Sequence, residues 1–125
     1  FEPDSVEYFR TSIGDSVFFP VDQSSLTQQA QGILDAQATW LIDNARSEIL
    51  IEGHADEQGT RAYNLALGAR RASAVRNYLV SRGVPTDQLQ IVSFGKERPL
   101  EVCSQESCYS QNRRAVTRVS GDLAG

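Results

Sequence analysis

Asp56, Asn64 and Arg71 gather around one polar turn in the stretch EGHADEQGTRAYNLALGARRASAVRNYL, Glu52 to Leu79. A carboxylate accepts from an ammonium group or from free helix-start amides, and a guanidinium forks onto a carboxylate through two parallel N–H bonds. Held apart at one rim, the two match a group that carries both an ammonium and a carboxylate. The structural alternative makes Asp56 a helix N-cap and Arg71 its salt-bridge partner, and spacing alone leaves both readings open. His54 with Asp56 and Glu57 is a weak metal set, one imidazole and two carboxylates in a turn. The sequence holds no Ser/His/Asp set with a Gly-flanked nucleophile and no phosphate loop, and its single His has no evident nucleophile partner. No catalysis, metal or cofactor is expected.

A strand must deliver that turn and a helix must carry Asn64 and Arg71. Residues 47–54, SEILIEGH, read as the strand. Residues 61–82 read as the helix, with Gly83 as its C-cap and Pro85 two residues beyond. At about 100° per residue, Leu65, Ala72, Val75 and Leu79 fall within about 80° and form the expected buried stripe. Asn64, Gly68 and Arg71 share a neighbouring arc of about 60°, so Arg71 borders the core face, whereas Arg70 lies about 100° further round. Gly68 costs about 1 kcal/mol against Ala in a helix interior, so close approach of a backbone or a ligand is its expected use.

The remaining elements follow from pattern. GDSVFFPV is a first strand, its ladder ended by Pro20. Ser25-Leu-Thr-Gln28 has the form of a capping box. Leu26, Ala30, Ile33, Leu34, Leu41, Ile42 and Ala45 then recur at helical spacing, with Trp40 flanking the stripe. Thr86-Asp-Gln-Leu89 reads as one turn, QIVSFG as a third strand and RAVTRVS as a fourth, with a polar loop between the last two. The order β-α-β-α-β-β predicts an α/β fold, an α+β sandwich with two main helices on one face of a four-stranded mixed sheet. Residues 1–13 show no sustained period and are set apart as an N-terminal extension; residues 14–120 form the domain and 121–125 a C-terminal tail.

The chain's 125 residues suit one domain with one real core. A formal charge of −4 argues against nucleic acid or an anionic membrane surface as partner. No stretch approaches the roughly eighteen apolar residues of a membrane span. Of twelve basic residues, Arg61, Arg70, Arg71, Arg76, Arg113 and Arg114 fall in two local groups, which points to a specific anionic group. The chain opens at Phe1 and contains no Met, and is read as a processed or trimmed product. Cys103 and Cys108 lack the further ligands a structural zinc would need, so a local disulfide in an oxidising compartment is the favoured reading, contributing about 2 kcal/mol. Residues five apart in one regular helix are too distant to bridge, so at least one Cys must lie outside any helix.

The segments GHADEQGTRAYNLALGARRASAVRNYLVSRGV, IVSFGKERP and QNRRAV, with the motifs G-H-A-D-E-x-G-T, Y-N-x-x-L-G-x-R-R-A and N-R-R-A in order, resemble the OmpA-like peptidoglycan-binding domains. Within that family they most resemble the peptidoglycan-associated lipoprotein branch, over residues 17–119. The resemblance implies non-catalytic binding of the diaminopimelate of the peptidoglycan stem peptide. Asp56 then takes the amine and Arg71 the carboxylate, Asn64 and Leu67 line or brace the pocket, Phe19 supplies an apolar wall, and Asn112 with Arg113 orders the neighbouring loop. The first strand departs from the family's Y-F-D-F-D, reading Phe18-Phe19-Pro20-Val21-Asp22, so the acidic group at Pro20 is missing. The CSQESC loop is absent from many relatives and is read as tuning a partner surface. The family further implies a periplasmic location, an N-terminal lipid in the outer membrane outside this chain, and the Tol-system propeller protein as a second partner. The competing readings are an anchoring domain of an OmpA-type porin or a flagellar stator and, from another class, a cell-wall hydrolase using His54 and Glu57 as acid and base.

Overall fold

Ser5, Thr27 and Thr60 begin three helices in the same way, each in extended backbone with its hydroxyl accepting from the amide three residues on. In the computed structural model, which describes residues 1–44 and 48–119, these helices are α1 (Val6–Tyr8, continued by a π-helical stretch, Phe9–Gly14), α2 (Gln28–Asp43) and α3 (Arg61–Ser81). The strands are β1 (Ser16–Phe18), β2 (Ile49–His54), β3 (Leu89–Gly95) and β4 (Arg114–Val119). A 3₁₀ turn, Thr86–Gln88, leads into β3, and a short helix, α4 (Glu106–Asn112), leads into β4. Ala45 of the expected helical stripe, Ser47 of the expected strand, Ser120 and the tail 121–125 lie outside the described residues.

The strand order is β1-β4-β2-β3. β2 and β3 pair in parallel across α3, while β4 runs antiparallel to both of its neighbours. The sheet is therefore mixed, as the element order predicts. Val17, Ile49, Ile51, Ala115 and Val119 on its inner face form one core with Leu34 and Leu41 of α2 and with Ala72, Val75 and Leu79 of α3. Each Val, Leu or Ile side chain so buried is worth about 1.5–3 kcal/mol. Gly83, at φ +104°, ends α3 as expected, its amide returning to Val80 and that of Val84 to Leu79.

Four details differ from expectation. The α2 cap is Thr27, whose hydroxyl accepts from Ala30, and the Ser25 hydroxyl meets the Gln23 side chain instead. Residues 1–13 are largely helical and feed the core: Phe9 is fully buried, its ring 4.8 Å from that of Trp40, whose indole N–H donates to the Pro3 carbonyl at 2.7 Å. This packing turns Trp40 inward and leaves Ile42 exposed. Buried Gln37 completes the join, donating to the Gly14 carbonyl and accepting from Thr117 of β4, both at 2.8 Å. The loop that holds the cysteines contains α4. Cys103, before that helix, and Cys108, within it, form a disulfide with a Cα–Cα distance of 5.7 Å.

The fourth difference concerns the roll of α3. Gly68 lies directly on Gly53 of β2, and a methyl on Gly68 would approach the Gly53 carbonyl oxygen to 2.9 Å. With this backbone-to-backbone contact the Asn64–Gly68–Arg71 arc is buried beside Ala72, Val75 and Leu79 of the expected stripe, and Leu65 is left exposed. Gly68→Ala is accordingly expected to lower unfolding free energy by about 1–3 kcal/mol in urea titrations, although alanine is the better helix former. An unchanged midpoint would contradict this contact.

Candidate functional site

The bulge at the end of β2, between Gly53 and His54, releases the chain into the turn 55–60, which is tied down along its length. The Ala55 amide donates to Gly95 at 2.8 Å, Lys96 Nζ to the Gly59 carbonyl at 2.8 Å, and Asn64 Nδ2 to the Gln58 carbonyl at 2.7 Å. Asp56 sits within this frame, 7 % exposed. One carboxylate oxygen accepts from the Gln58 amide at 2.9 Å, and the other lies 3.3 Å from Arg113 Nη1. Asp56 is thus neither the cap of α3, which is Thr60, nor the hydrogen-bonded partner of Arg71.

Arg71 has no exposed surface. Its Nε donates to the Gln23 carbonyl at 2.9 Å, Nη1 to His54 at 2.9 Å and Nη2 to Pro20 at 3.1 Å. Its guanidinium carbon lies 5.2 Å from the centre of the Phe19 ring. Arg71 therefore stitches the segment after β1 to the end of β2. Burial pushes its pKa down to about 10, opposed chiefly by the charge of Asp56, with Arg113 adding to the depression. It stays cationic at neutral pH.

A cleft of about 310 Å³ opens at this junction, lined by Val21, Asp22, Asp56, Gln58, Gly59 and Tyr63. Of the residues singled out by sequence, Asp56 alone lines it. Arg71, Asn64, Phe19 and Arg113 are buried behind it, Asn112 is buried at the end of α4, and Leu67 is buried on α3. Asn112 accepts from the Leu100 and Glu101 amides and donates to the Glu101 carbonyl, which orders the loop ahead of α4. The sequence reading did not single out Asp22 or Tyr63 for the site, although both stand in quoted motifs. Asp22 has φ +57°, and the Tyr63 hydroxyl donates to its carboxylate at 3.1 Å. Such a backbone is strained for a non-glycine residue and concentrates at binding sites. A larger groove of about 410 Å³, lined by Pro3, Tyr8, Ile13, Trp40 and neighbours on α2, shares no residue with this cleft.

His54 and Glu57 turn to different partners. Glu57 is bound by Ser104 and Tyr109, at 2.6 and 3.1 Å. The His54 ring packs 5.6 Å from Phe94 of β3 and lies 3.2 Å from the Glu52 carboxylate. Among the described residues, no group of three His, Cys, Asp or Glu is placed to hold a metal.

The profile of the OmpA family matches residues 18–113. The peptidoglycan-associated lipoprotein of Rhizobium meliloti (strain 1021) is 56 % identical over 119 residues, covering 95 % of this chain and 68 % of that protein. The crystal structure of the peptidoglycan-associated lipoprotein from Burkholderia pseudomallei superposes with a TM-score of 0.83 at 40 % identity, over 94 % of this chain and all of that one. The C-terminal domain of Helicobacter pylori MotB shares the fold, with a TM-score of 0.76 at 22 % identity over 88 % of this chain and 89 % of that one.

The His54 surroundings give a pH dependence of stability. Burial holds its pKa below the ordinary 6.5, assisted by Arg114 and Arg118 on β4 and opposed by Glu52, while the Nδ1 atom is buried with no partner among the described residues. As pH falls below about 6.5 the unfolded chain takes up a proton that folded His54 resists, so stability is lost on acidification. Glu52 is depressed below 4.5, first by the His54 hydrogen bond and then by Arg118, against the opposing effect of its own burial. Its contribution is present above the unfolded value and is lost at lower pH, with the same sign. Urea unfolding of the wild type and His54→Gln should therefore converge between pH 8 and 5.5. A stability difference that stays constant across that range would refute the assignment.

Proposed function

The chain belongs to the OmpA family, and on that premise we propose that it binds peptidoglycan without catalysis, through the diaminopimelate of the stem peptide. The observation that carries this reading is Asp56, a carboxylate fixed by its own turn and lining a cleft, with the buried cation Arg71 behind that wall. The free end of diaminopimelate bears an ammonium and a carboxylate. The ammonium sits against Asp56, and Arg71 attracts the carboxylate from beneath the segment 20–23. The cleft is near the lower limit of ligand pockets, about 300 Å³, which suits one end of an amino acid and not a whole glycan strand. Nothing in the arrangement attacks a bond: the two charges are immobilised by hydrogen bonds and His54 is engaged with Glu52.

The relatives named as peptidoglycan-associated lipoproteins support the rest of the reading. The domain stands in the periplasm, carried on the inner leaflet of the outer membrane by an N-terminal lipid, and tethers that membrane to the cell wall. The Tol-system propeller protein is its second partner. The likeness to MotB is one of fold alone and does not favour the stator reading.

Pull-down on purified peptidoglycan tests the cleft. Asp56→Ala should lose roughly 2–5 kcal/mol of binding, because the ligand's ammonium is left without its counter-charge. Arg71→Lys should also lose binding, with a lower melting temperature, since one ammonium cannot satisfy three separated carbonyls. Retention of Asp56→Ala at the wild-type level, with an unchanged melt, would remove the cleft from the function.

A further inference from the structure

Arg113 is the second cation behind the cleft, and it is shared between two carboxylates. Its Nε donates to the Phe19 carbonyl at 3.0 Å, which fixes the side chain against the end of β1. Its Nη1 is divided between Asp56 Oδ2 at 3.3 Å and Glu106 Oε1 at 3.2 Å, while Nη2 is given wholly to Glu106 Oε2 at 2.6 Å. The shorter and bidentate contact is with Glu106, the more distant one with Asp56. Arg113 is accordingly held above the usual arginine value by Glu106 first, and by Asp56 less.

Glu106 is placed to do this. It is the first residue of α4, two residues before Cys108, and the disulfide to Cys103 brackets it. The same segment is fastened to the binding turn by the bonds from Ser104 and Tyr109 to Glu57. Glu106 is 67 % exposed on its side chain, whereas Arg113 and Asp56 are almost wholly buried. A surface carboxylate thus neutralises a buried cation that would otherwise face Asp56 alone.

We propose that Glu106 is a specificity-positioning residue for this cleft: by occupying Arg113 it keeps the negative charge of Asp56 available to the ligand's ammonium. The inference rests on the reading of the cleft as the seat of diaminopimelate and adds to it the group that sets its preference for a cation. Without Glu106, the Arg113 guanidinium closes on Asp56 and its uncompensated charge repels an ammonium while attracting a carboxylate. The loss is therefore selective by ligand group, which a merely structural role for Glu106 does not produce.

The test is calorimetric titration with three synthetic stem peptides that differ at one residue: diaminopimelate, lysine, which lacks the distal carboxylate, and 2-aminopimelate, which lacks the distal ammonium. Glu106→Gln is expected to weaken the diaminopimelate and lysine peptides by roughly three- to tenfold, the scale of one partly screened charge pair, and to leave the 2-aminopimelate peptide unchanged or tighter. Glu106→Asp, which keeps the charge, should stay within about twofold of wild type on all three. Equal losses on the three peptides, no loss on any, or a Glu106→Asp variant that matches Glu106→Gln would each overturn the proposal. If the wild type ignores the diaminopimelate peptide, the functional reading of the cleft fails with it. Binding by the wild type with an indifferent Glu106→Gln sinks this inference alone.

Discussion

A guanidinium with no exposed surface donates to three carbonyls, at Pro20, Gln23 and His54, that belong to two chain segments far apart in sequence. Those segments are the two sides of the cleft, so its geometry depends on this one side chain. Burying a charge is costly unless its hydrogen bonds are satisfied and a counter-charge is near. Arg71 meets the first condition with backbone oxygens and the second with Asp56, whose charge is the largest influence opposing the depression of its pKa. Removing Asp56 would therefore reach beyond the cleft wall, because it also strips Arg71 of its largest compensation.

The charges around the cleft form one system. Asp56, Asp22 and Glu106 are negative; Arg71 and Arg113 are positive, and both cations lie in the interior. Lys96, whose Nζ donates to the Gly59 carbonyl, brings a third cation to the edge of the cleft. The turn between them is held in place, its backbone bound to β3, Lys96 and α3 and its Glu57 carboxylate to Ser104, and so has little freedom to move. Rigidity reduces the ordering cost of association, which suits an anchor that must hold without consuming its ligand.

The pattern of strands and long helices was legible because each has a clear period and clear ends, as Thr60, Gly83 and Pro85 illustrate for α3. The wheel put Asn64, Gly68 and Arg71 on one arc but ranked it second to the leucine stripe. That ranking uses hydrophobicity: Ala72, Val75 and Leu79 follow it into the core, whereas the backbone contact between Gly68 and Gly53 buries the second arc as well and Leu65 stays outside. The N-terminal segment was missed for a related reason: a short helix that buries one aromatic, Phe9, has too few turns to show a period. Glu106 and Arg113 meet along the length of α4, and no local pattern marks a pair whose partner, Asp56, is 50 residues upstream of Glu106. Asp22 carried a signal in its quoted strand motif. The strand ended before it, however, and only the fold brings Tyr63 over to hold it.

The position of the cleft follows from the topology. β4 lies between β1 and β2, so the segments that leave β1 and β2 and the one that enters β4 all emerge at the same end of the sheet. Those three places supply Pro20 to Gln23, the turn from Ala55 to Thr60, and Asn112 with Arg113. Antiparallel pairing of β4 with both neighbours is what makes its start coincide with their ends; a parallel β4 would have carried Arg113 to the opposite edge. Strand direction therefore brings three chain regions together at the cleft, and the buried arginines, Arg113 just ahead of β4 and Arg71 on α3, bond across to the others. A chain of this order that placed other residues at the same three junctions would keep the sheet and lose the cleft, which is why the fold shared with MotB says nothing by itself about a ligand.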